Sequence, residues 1–97
     1  MSRSIEEIRE DIRAGRTALG IEFGSTRIKA VLTDSSLAPA AQGSHSWENR
    51  LENGIWTYPE EEIIAGLQSC YRDLARNVRE TYGTELETVG SLGISAM

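Results

Sequence analysis

The apolar residues near the start of the chain recur at helical spacing. Ile5, Ile8 and Ile12 lie three and four residues apart, so they share one face of a helix predicted over residues 4–14. Gly15 follows directly, and glycine often ends a helix in the left-handed conformation. We therefore predict an amphipathic N-terminal helix that stops at Gly15.

Alternation between apolar and polar positions replaces the helical spacing after this point and predicts two strands. The first strand runs from Thr17 to Phe23 and the second from Arg27 to Asp34. The second strand alternates between two faces, with Ile28, Ala30 and Leu32 on one and Lys29, Val31 and Thr33 on the other. The three-residue break Gly24-Ser25-Thr26 favours antiparallel pairing of the two strands.

A weaker strand and a long helix come next. Residues 40–49 alternate less regularly and predict a third strand. Pro59, which is tolerated at the first helical position, begins a helix that ends at Tyr82-Gly83. The apolar stripe of this helix comprises Ile63, Leu67, Tyr71, Leu74 and Val78, and is widened by Ile64 and Cys70.

The last predicted element is a strand within Leu86 to Ser95. Its small and apolar residues lack clean alternation, which indicates a buried strand that can run parallel to the first. The order helix, three strands, long helix, strand is typical of the α/β class. A crossover of this length between parallel strands is expected to be right-handed.

Length, charge and cysteine content limit the class of protein. A chain of 97 residues is one small domain or a piece of a larger one. Its net charge of −5 argues against general nucleic-acid binding, although backbone amides can still hold the phosphates of a single nucleotide. The single cysteine, Cys70, excludes an internal disulfide. The start has no apolar signal core and no stretch has the length of a membrane span, so we expect a cytoplasmic protein without membrane contact.

The break between the first two strands combines residue types that can hold a phosphate. Gly24 allows close backbone approach and a positive φ, and the amides and hydroxyls of Ser25 and Thr26 can donate to an anion. Lys29 lies within side-chain reach, and the carboxylate of Glu22 is suited to Mg²⁺ or its water shell. The alternative is a solvent-facing hairpin of ordinary turn residues.

The same segment resembles a known phosphate motif. Gly20-Ile21-Glu22-Phe23-Gly24-Ser25-Thr26-Arg27-Ile28-Lys29-Ala30-Val31 is similar to the first phosphate motif of the actin/Hsp70/sugar-kinase ATPase superfamily. Three later segments resemble the opening of the FGGY carbohydrate kinases, the xylulokinase-like group. They are Asn53-Gly54-Ile55-Trp56, Pro59-Glu60-Glu61 and Gly93-Ile94-Ser95-Ala96-Met97.

The resemblance implies a fold and a division of the chain. The fold is a partial ribonuclease-H-like (actin-like ATPase) domain with three antiparallel strands, a long helix and a fourth strand parallel to the first. Residues 17–97 are then the N-terminal part of domain I of a sugar kinase. Residues 1–16 are an additional N-terminal helical extension.

The resemblance also implies a site and its ligands. ATP and Mg²⁺ are the cofactors, and a sugar, expected to be a ketose, is the substrate. The residues implied are Gly24, Ser25, Thr26 and Lys29 for the nucleotide, Glu22 for the metal, and Ser95 and Met97 near the sugar. The family usually has Asp where this chain has Glu22. Its general base and second lobe lie further along, so we expect no catalytic residue and no activity in this chain alone.

Two other functions fit the same residues. One is an ATPase activator of a 2-hydroxyacyl-CoA dehydratase, a group in the same superfamily with a similar Gly-Ser-Thr-x-x-Lys-Ala-Val segment. The other is a non-enzymatic interaction domain whose hairpin binds nothing. With a sheet edge left open, the chain is also expected to self-associate.

Overall fold

A computed structural model describes residues 3–24, 26–46, 50–52, 55–57 and 60–96. The elements are α1 (Ile5–Ala14), β1 (Ala18–Phe23), β2 (Arg27–Thr33), β3 (Pro39–Ser46), β4 (Arg50–Glu52), β5 (Ile55–Thr57), α2 (Glu60–Tyr82) and β6 (Ser91–Ala96). In this part of the chain no helix is both long and apolar enough to cross a membrane.

The main sheet has four strands in the order β3-β2-β1-β6. β1 pairs antiparallel with β2, β2 pairs antiparallel with β3, and β6 pairs parallel with β1. Along the chain, the short strands β4 and β5 and then the long helix α2 connect β3, at one edge of the sheet, to β6 at the other edge. This is the α/β arrangement predicted from the order of elements.

The N-terminal helix begins at a capping box and ends at the predicted glycine. Ser4 and Glu7 form a capping box in which each side chain accepts from the other residue's backbone amide. Gly15 ends the helix in the left-handed conformation at φ 72°. Ile12 is 1% exposed and belongs to the same core cluster as the sheet residues. Ile8 also packs against this cluster, whereas Ile5, the first residue of the predicted apolar face, is 52% exposed.

A buried carboxylate fastens α1 to the turn between β2 and β3. Asp11 is 2% exposed, and its carboxylate accepts from Arg16 Nε at 3.1 Å and from the Ser35 amide at 3.0 Å. Arg3 completes the cluster through ion pairs with Asp11 and with the equally buried Asp34. These groups hold the pKa of Asp11 well below its usual range, with the Arg3 hydrogen bond as the largest cause.

The buried face of α2 differs in part from the predicted stripe. Cys70, Leu74 and Val78 are fully buried as expected, but Tyr71 and Ile64 are exposed. The reason is the position of the helix, which packs over β3 and β2 rather than over the whole sheet. Tyr71 therefore borders an open groove beside β1 and β6 instead of entering the core.

The prediction of a buried last strand is wrong. β6 is parallel to β1 as predicted, but Leu92 and Ile94 are 57% and 62% exposed. Both side chains lie on the helix-covered face, beside Leu19 and Ile21 of β1. They are exposed because β6 is an edge strand in the described sheet and α2 does not reach over it.

The segment between β3 and α2 departs from the predicted elements. β3 ends at Ser46, and the remaining residues of the predicted third strand, 47–49, lie outside the described part of the chain. β4 and β5 form an antiparallel pair that was not predicted as strands. Asn53, Gly54 and Pro59, on which a turn and a helix start were predicted, also lie outside the described residues.

Candidate functional site

Three predicted site residues lie in one row across the open face of the sheet. Glu22 on β1 is directly opposite Lys29 on β2 and also directly beside Ser95 on β6. Residues paired in this way point to the same side of a sheet, with Cβ atoms about 5 Å apart in the antiparallel pair. All three are exposed. The fold thus gathers a carboxylate, an ammonium and a hydroxyl from three strands, and this set is called the polar row below.

The loop between β1 and β2 adjoins the polar row. The amide of Gly24 donates to the carbonyl of Arg27 at 2.8 Å, which closes a tight hairpin. A Cβ built on Gly24 would lie 3.2 Å from that carbonyl oxygen. The φ angle of Gly24 is not in the left-handed region, so close approach, rather than the expected positive φ, accounts for the glycine.

The structure describes only one of the other two hairpin residues. Thr26 is exposed and directly precedes β2. Ser25 lies outside the described residues, as does Met97, which was placed near a sugar. The structure therefore places Glu22, Gly24, Thr26, Lys29 and Ser95 at one end of the sheet.

A cleft of about 420 Å³ extends from the polar row along the open face of the sheet. Its floor includes Gly20 and Gly93, which are paired side by side on β1 and β6. A Cβ on either glycine would meet nothing within 4 Å. The volume is within the ordinary range for small-molecule pockets.

The charges around this cleft suit a magnesium-bound phosphate. Lys29 is the only lysine in the sequence and faces the cleft with Glu22. The described residues contain no cluster of three or more His, Cys, Asp or Glu side chains that could hold a metal by themselves. Mg²⁺ commonly uses one or two carboxylates together with phosphate oxygens and waters, so the single carboxylate of Glu22 fits that role.

Cys70 does not belong to the site. It is 1% exposed and its thiol lies 3.7 Å from the carbonyl oxygen of Ile28 in the core. Burial raises the pKa of this thiol. A buried, protonated cysteine is a packing residue, as the helical stripe predicts.

Sequence reasoning missed the paired glycines of the cleft floor. Gly20 and Gly93 are 73 positions apart, and their adjacency depends on the parallel register of β1 and β6. The available signal was a glycine at an outward position of each strand, where glycine otherwise weakens a strand.

Comparison with known proteins gives a fold relationship. The sequence matches no family model and no curated protein. Its structure resembles a crystal structure described as a xyloylose kinase from Brucella ovis, with a TM-score of 0.64 and 20% sequence identity. The match covers 84% of this chain and 16% of the kinase chain, so the chain spans less than a fifth of that protein's length.

The fold class is therefore the one that the resemblance implied. The mixed sheet, the crossover helix α2 and the parallel strand β6 form part of an actin-like fold, which the solved kinase shares.

Proposed function

We propose that this chain is the N-terminal part of an ATP-dependent carbohydrate kinase of the FGGY, xylulokinase-like type. Such an enzyme transfers the γ-phosphate of ATP to a sugar hydroxyl, here expected to belong to a ketose. The observation that carries the proposal is the polar row of Glu22, Lys29 and Ser95 beside the tight hairpin. The likeness of the fold to a sugar kinase supports it.

Each residue has a definite part in this proposal. The amides and hydroxyls of the Gly24–Thr26 hairpin bind the phosphates, and Lys29 neutralises part of their charge. Glu22 holds Mg²⁺ directly or through a water molecule. Mg²⁺ supplies charge neutralisation on the phosphate oxygens. Ser95 lies across Glu22 from Lys29, and in this proposal its hydroxyl hydrogen-bonds the sugar.

Phosphoryl transfer depends chiefly on positioning and on charge stabilisation. The row contributes both, because its three side chains extend from a paired sheet that holds them in fixed register. Deprotonation of the attacking hydroxyl is not assigned to any residue of this chain. The dehydratase-activator alternative gains no support from Cys70, because that thiol is in the core and cannot reach a cluster.

The uniqueness of Lys29 gives a direct test of nucleotide binding. An amine-acylating reagent followed by peptide mass spectrometry reports Lys29 separately from the N-terminal amine. Because the rest of the nucleotide site is placed outside this chain, we expect weak binding, and only high concentrations of MgATP should slow acylation of Lys29, in proportion to the bound fraction. Lys29→Ala should weaken MgATP binding about tenfold, since one charge-assisted hydrogen bond is lost.

A matched control distinguishes the loss of a contact at Lys29 from a general change in the net charge of the protein. Arg72 is an exposed cation on α2, on the opposite side of the sheet from the polar row, so Arg72→Ala should leave nucleotide binding unchanged. An acylation rate of Lys29 that is identical with and without MgATP would refute a nucleotide site at the hairpin.

The isolated chain is expected to lack kinase turnover. It spans 16% of the solved kinase chain, and we place the general base and the second lobe outside residues 1–97. An ADP-release assay with purified chain, MgATP and a panel of ketoses should give no sugar-dependent rate. Sugar-dependent ADP release would contradict this division of the catalytic machinery.

A further inference from the structure

The register of β6 against β1 decides whether Ser95 belongs to the polar row. Ser95 lies beside Glu22 in the parallel ladder of the two strands. A slip of β6 by two residues in one direction would bring Gly93 beside Glu22 instead, and a slip by an odd number would reverse the faces of the strand. The polar row therefore requires one particular register.

The side chains of β6 specify this register only weakly. The strand reads Ser91-Leu92-Gly93-Ile94-Ser95-Ala96. A slip by two residues exchanges Leu92 for Ile94 on one face and exchanges small residues for small residues on the other. Strands that contain glycine and change little on such a shift are prone to slippage. Another part of the chain must therefore contribute to the register.

A close backbone contact at Gly90, directly before β6, makes this contribution. The amides of Gly90 and Ser91 both donate to the Thr17 carbonyl, at 2.8 and 3.2 Å. A Cβ built on Gly90 would lie 2.6 Å from the Gly15 carbonyl oxygen and 2.8 Å from that of Thr17. Both oxygens belong to residues 15–17, which join α1 to β1 and are called the linker below. The φ angle of Gly90 is not in the left-handed region, so close approach of the linker is what requires glycine.

The contact with the linker discriminates between registers. A slip by two residues would place Thr88 or Leu92 against the linker, and the Cβ of either residue would collide with the linker carbonyl oxygens. A slip by three residues would place Gly93 there, but it would turn Leu92 and Ile94 towards the face that carries the polar row. Only the observed register combines a glycine at the linker with the observed faces of β6.

Helix α1 holds the linker in place. The Arg16 amide donates to the Asp11 carbonyl at 2.8 Å, which continues the last turn of the helix into the linker. The Asp11 carboxylate in turn accepts from the Ser35 amide in the turn between β2 and β3. On its other side, α1 is fastened to the end of α2, because Arg9 donates to the Tyr82 carbonyl. The linker is therefore a fixed surface against which β6 begins.

We propose that Gly90 is a positioning residue, which fits against the linker, sets the register of β6 on β1 and so places Ser95 beside Glu22. Helix α1 takes part because it holds the linker, although it lies at the opposite end of the sheet from the hairpin. The register is a property of the sheet, and only the role of Ser95 towards a sugar rests on the proposed function.

Disulfide formation between engineered cysteines reads the register directly. In Glu22→Cys/Ser95→Cys the two Cα atoms are neighbours on adjacent strands, within the range that a disulfide accepts. In Glu22→Cys/Gly93→Cys they are about 8 Å apart in the observed register and approach each other only after a slip by two residues. Gly20→Cys/Ser95→Cys reports the opposite slip in the same way. Mild oxidation, followed by peptide mass spectrometry, should cross-link the first pair about tenfold faster than the other two. The native Cys70 is buried and does not compete.

Replacement of Gly90 by alanine should remove this preference. In Gly90→Ala the rate of the Glu22→Cys/Ser95→Cys pair relative to the other two pairs should fall about tenfold, because the added methyl group displaces β6 from the linker. The matched control for the first pair is Gly93→Ala, the same change within β6, where a Cβ meets nothing within 4 Å. This control should cross-link at the rate of its parent.

A second variant tests the linker while Gly90 is kept. Asp11→Asn loosens α1, so it should lower the preference for the first pair by a smaller factor, whereas Glu10→Gln should leave it unchanged. If Gly90→Ala does not fold, Asp11→Asn decides, and an unchanged preference in that variant would overturn the proposal.

Two other results would also overturn the proposal. One is equal cross-linking of all three pairs when Gly90 is present, which would show that the register is not fixed. The other is a Gly90→Ala chain with a wild-type circular dichroism spectrum and an undiminished preference for the first pair. These rates need no ligand. A failure of nucleotide binding at the hairpin would therefore reject the proposed function and leave the assignment of Gly90 intact.

Discussion

Replacement of Gly43 by alanine is expected to lower the free energy of unfolding by about 3 kcal/mol or more, at the upper end of the usual cost of overpacking. Gly43 lies on β3, against the backbone of α2. A Cβ there would lie 2.7 Å from the Cys70 carbonyl oxygen and 2.8 Å from the Leu74 Cα. These are backbone atoms of α2, so the whole helix must move away from the sheet.

Thermal unfolding measures this cost, and the chain contains its own control. For a domain of this size the loss corresponds to a fall in melting temperature of about 12 °C or more. Gly20→Ala makes the same chemical change in the same sheet, but its Cβ meets nothing within 4 Å. We expect Gly20→Ala to be neutral or slightly stabilising. Similar melting temperatures for the two variants would contradict the close packing at Gly43.

The second large effect is expected from Asp11→Asn, which should cost about 2–3 kcal/mol at neutral pH. The asparagine side chain keeps the shape of the carboxylate but removes its negative charge. That charge pairs with Arg3 and Arg16 and strengthens the hydrogen bond from the Ser35 amide. Arg16 is half exposed, so solvent stabilises its charge after the carboxylate is removed. The cost therefore stays below that of breaking a fully buried ion pair.

The pH dependence of stability provides an independent measure of Asp11. Its pKa is depressed in the folded chain, whereas an aspartate in the unfolded chain has a pKa of about 3.9. The stabilisation is therefore complete above the unfolded pKa and is lost as pH falls below it towards the folded pKa. Denaturant unfolding from neutral pH down to about pH 2 should show this acid-sensitive contribution reduced in Asp11→Asn.

Glu10→Gln is the matched control for this prediction. Glu10 is the neighbouring residue of α1 and is exposed, so its loss should change stability by less than about 0.5 kcal/mol. The acid sensitivity of Glu10→Gln should equal that of the wild type. If Asp11→Asn also retains the full wild-type acid sensitivity, the cluster of Asp11 and Asp34 does not govern acid unfolding.

Local sequence patterns were sufficient to predict the helices and the first strands. The apolar spacing of Ile5, Ile8 and Ile12, the alternation within β2 and the glycine stops each depend only on neighbouring residues. The hairpin at Gly24 was likewise predicted, because its residues are consecutive in the chain. The parallel direction of β6 was predicted from its small and apolar residues without clean alternation, although the burial that this pattern also indicated is not observed.

Features that depend on tertiary placement could not be obtained in this way. The exposure of Tyr71, Leu92 and Ile94 follows from the lateral position of α2 over β2 and β3, which helical spacing does not specify. The partners of Asp11 come from the chain start and from a distant turn. The alignment of Ser95 with Glu22 and Lys29 required the strand register, which becomes known only when the sheet is assembled.

The strand register also restricts how this domain can change during evolution. Side chains alternate strictly along β1 and β2, so loss or gain of one residue within either strand would turn every following side chain to the opposite face. Core residues such as Ile28 would then face the cleft, and Lys29 would enter the core. Natural variants can therefore exchange residues along these strands, whereas insertions and deletions should be confined to connections such as the turn between β2 and β3.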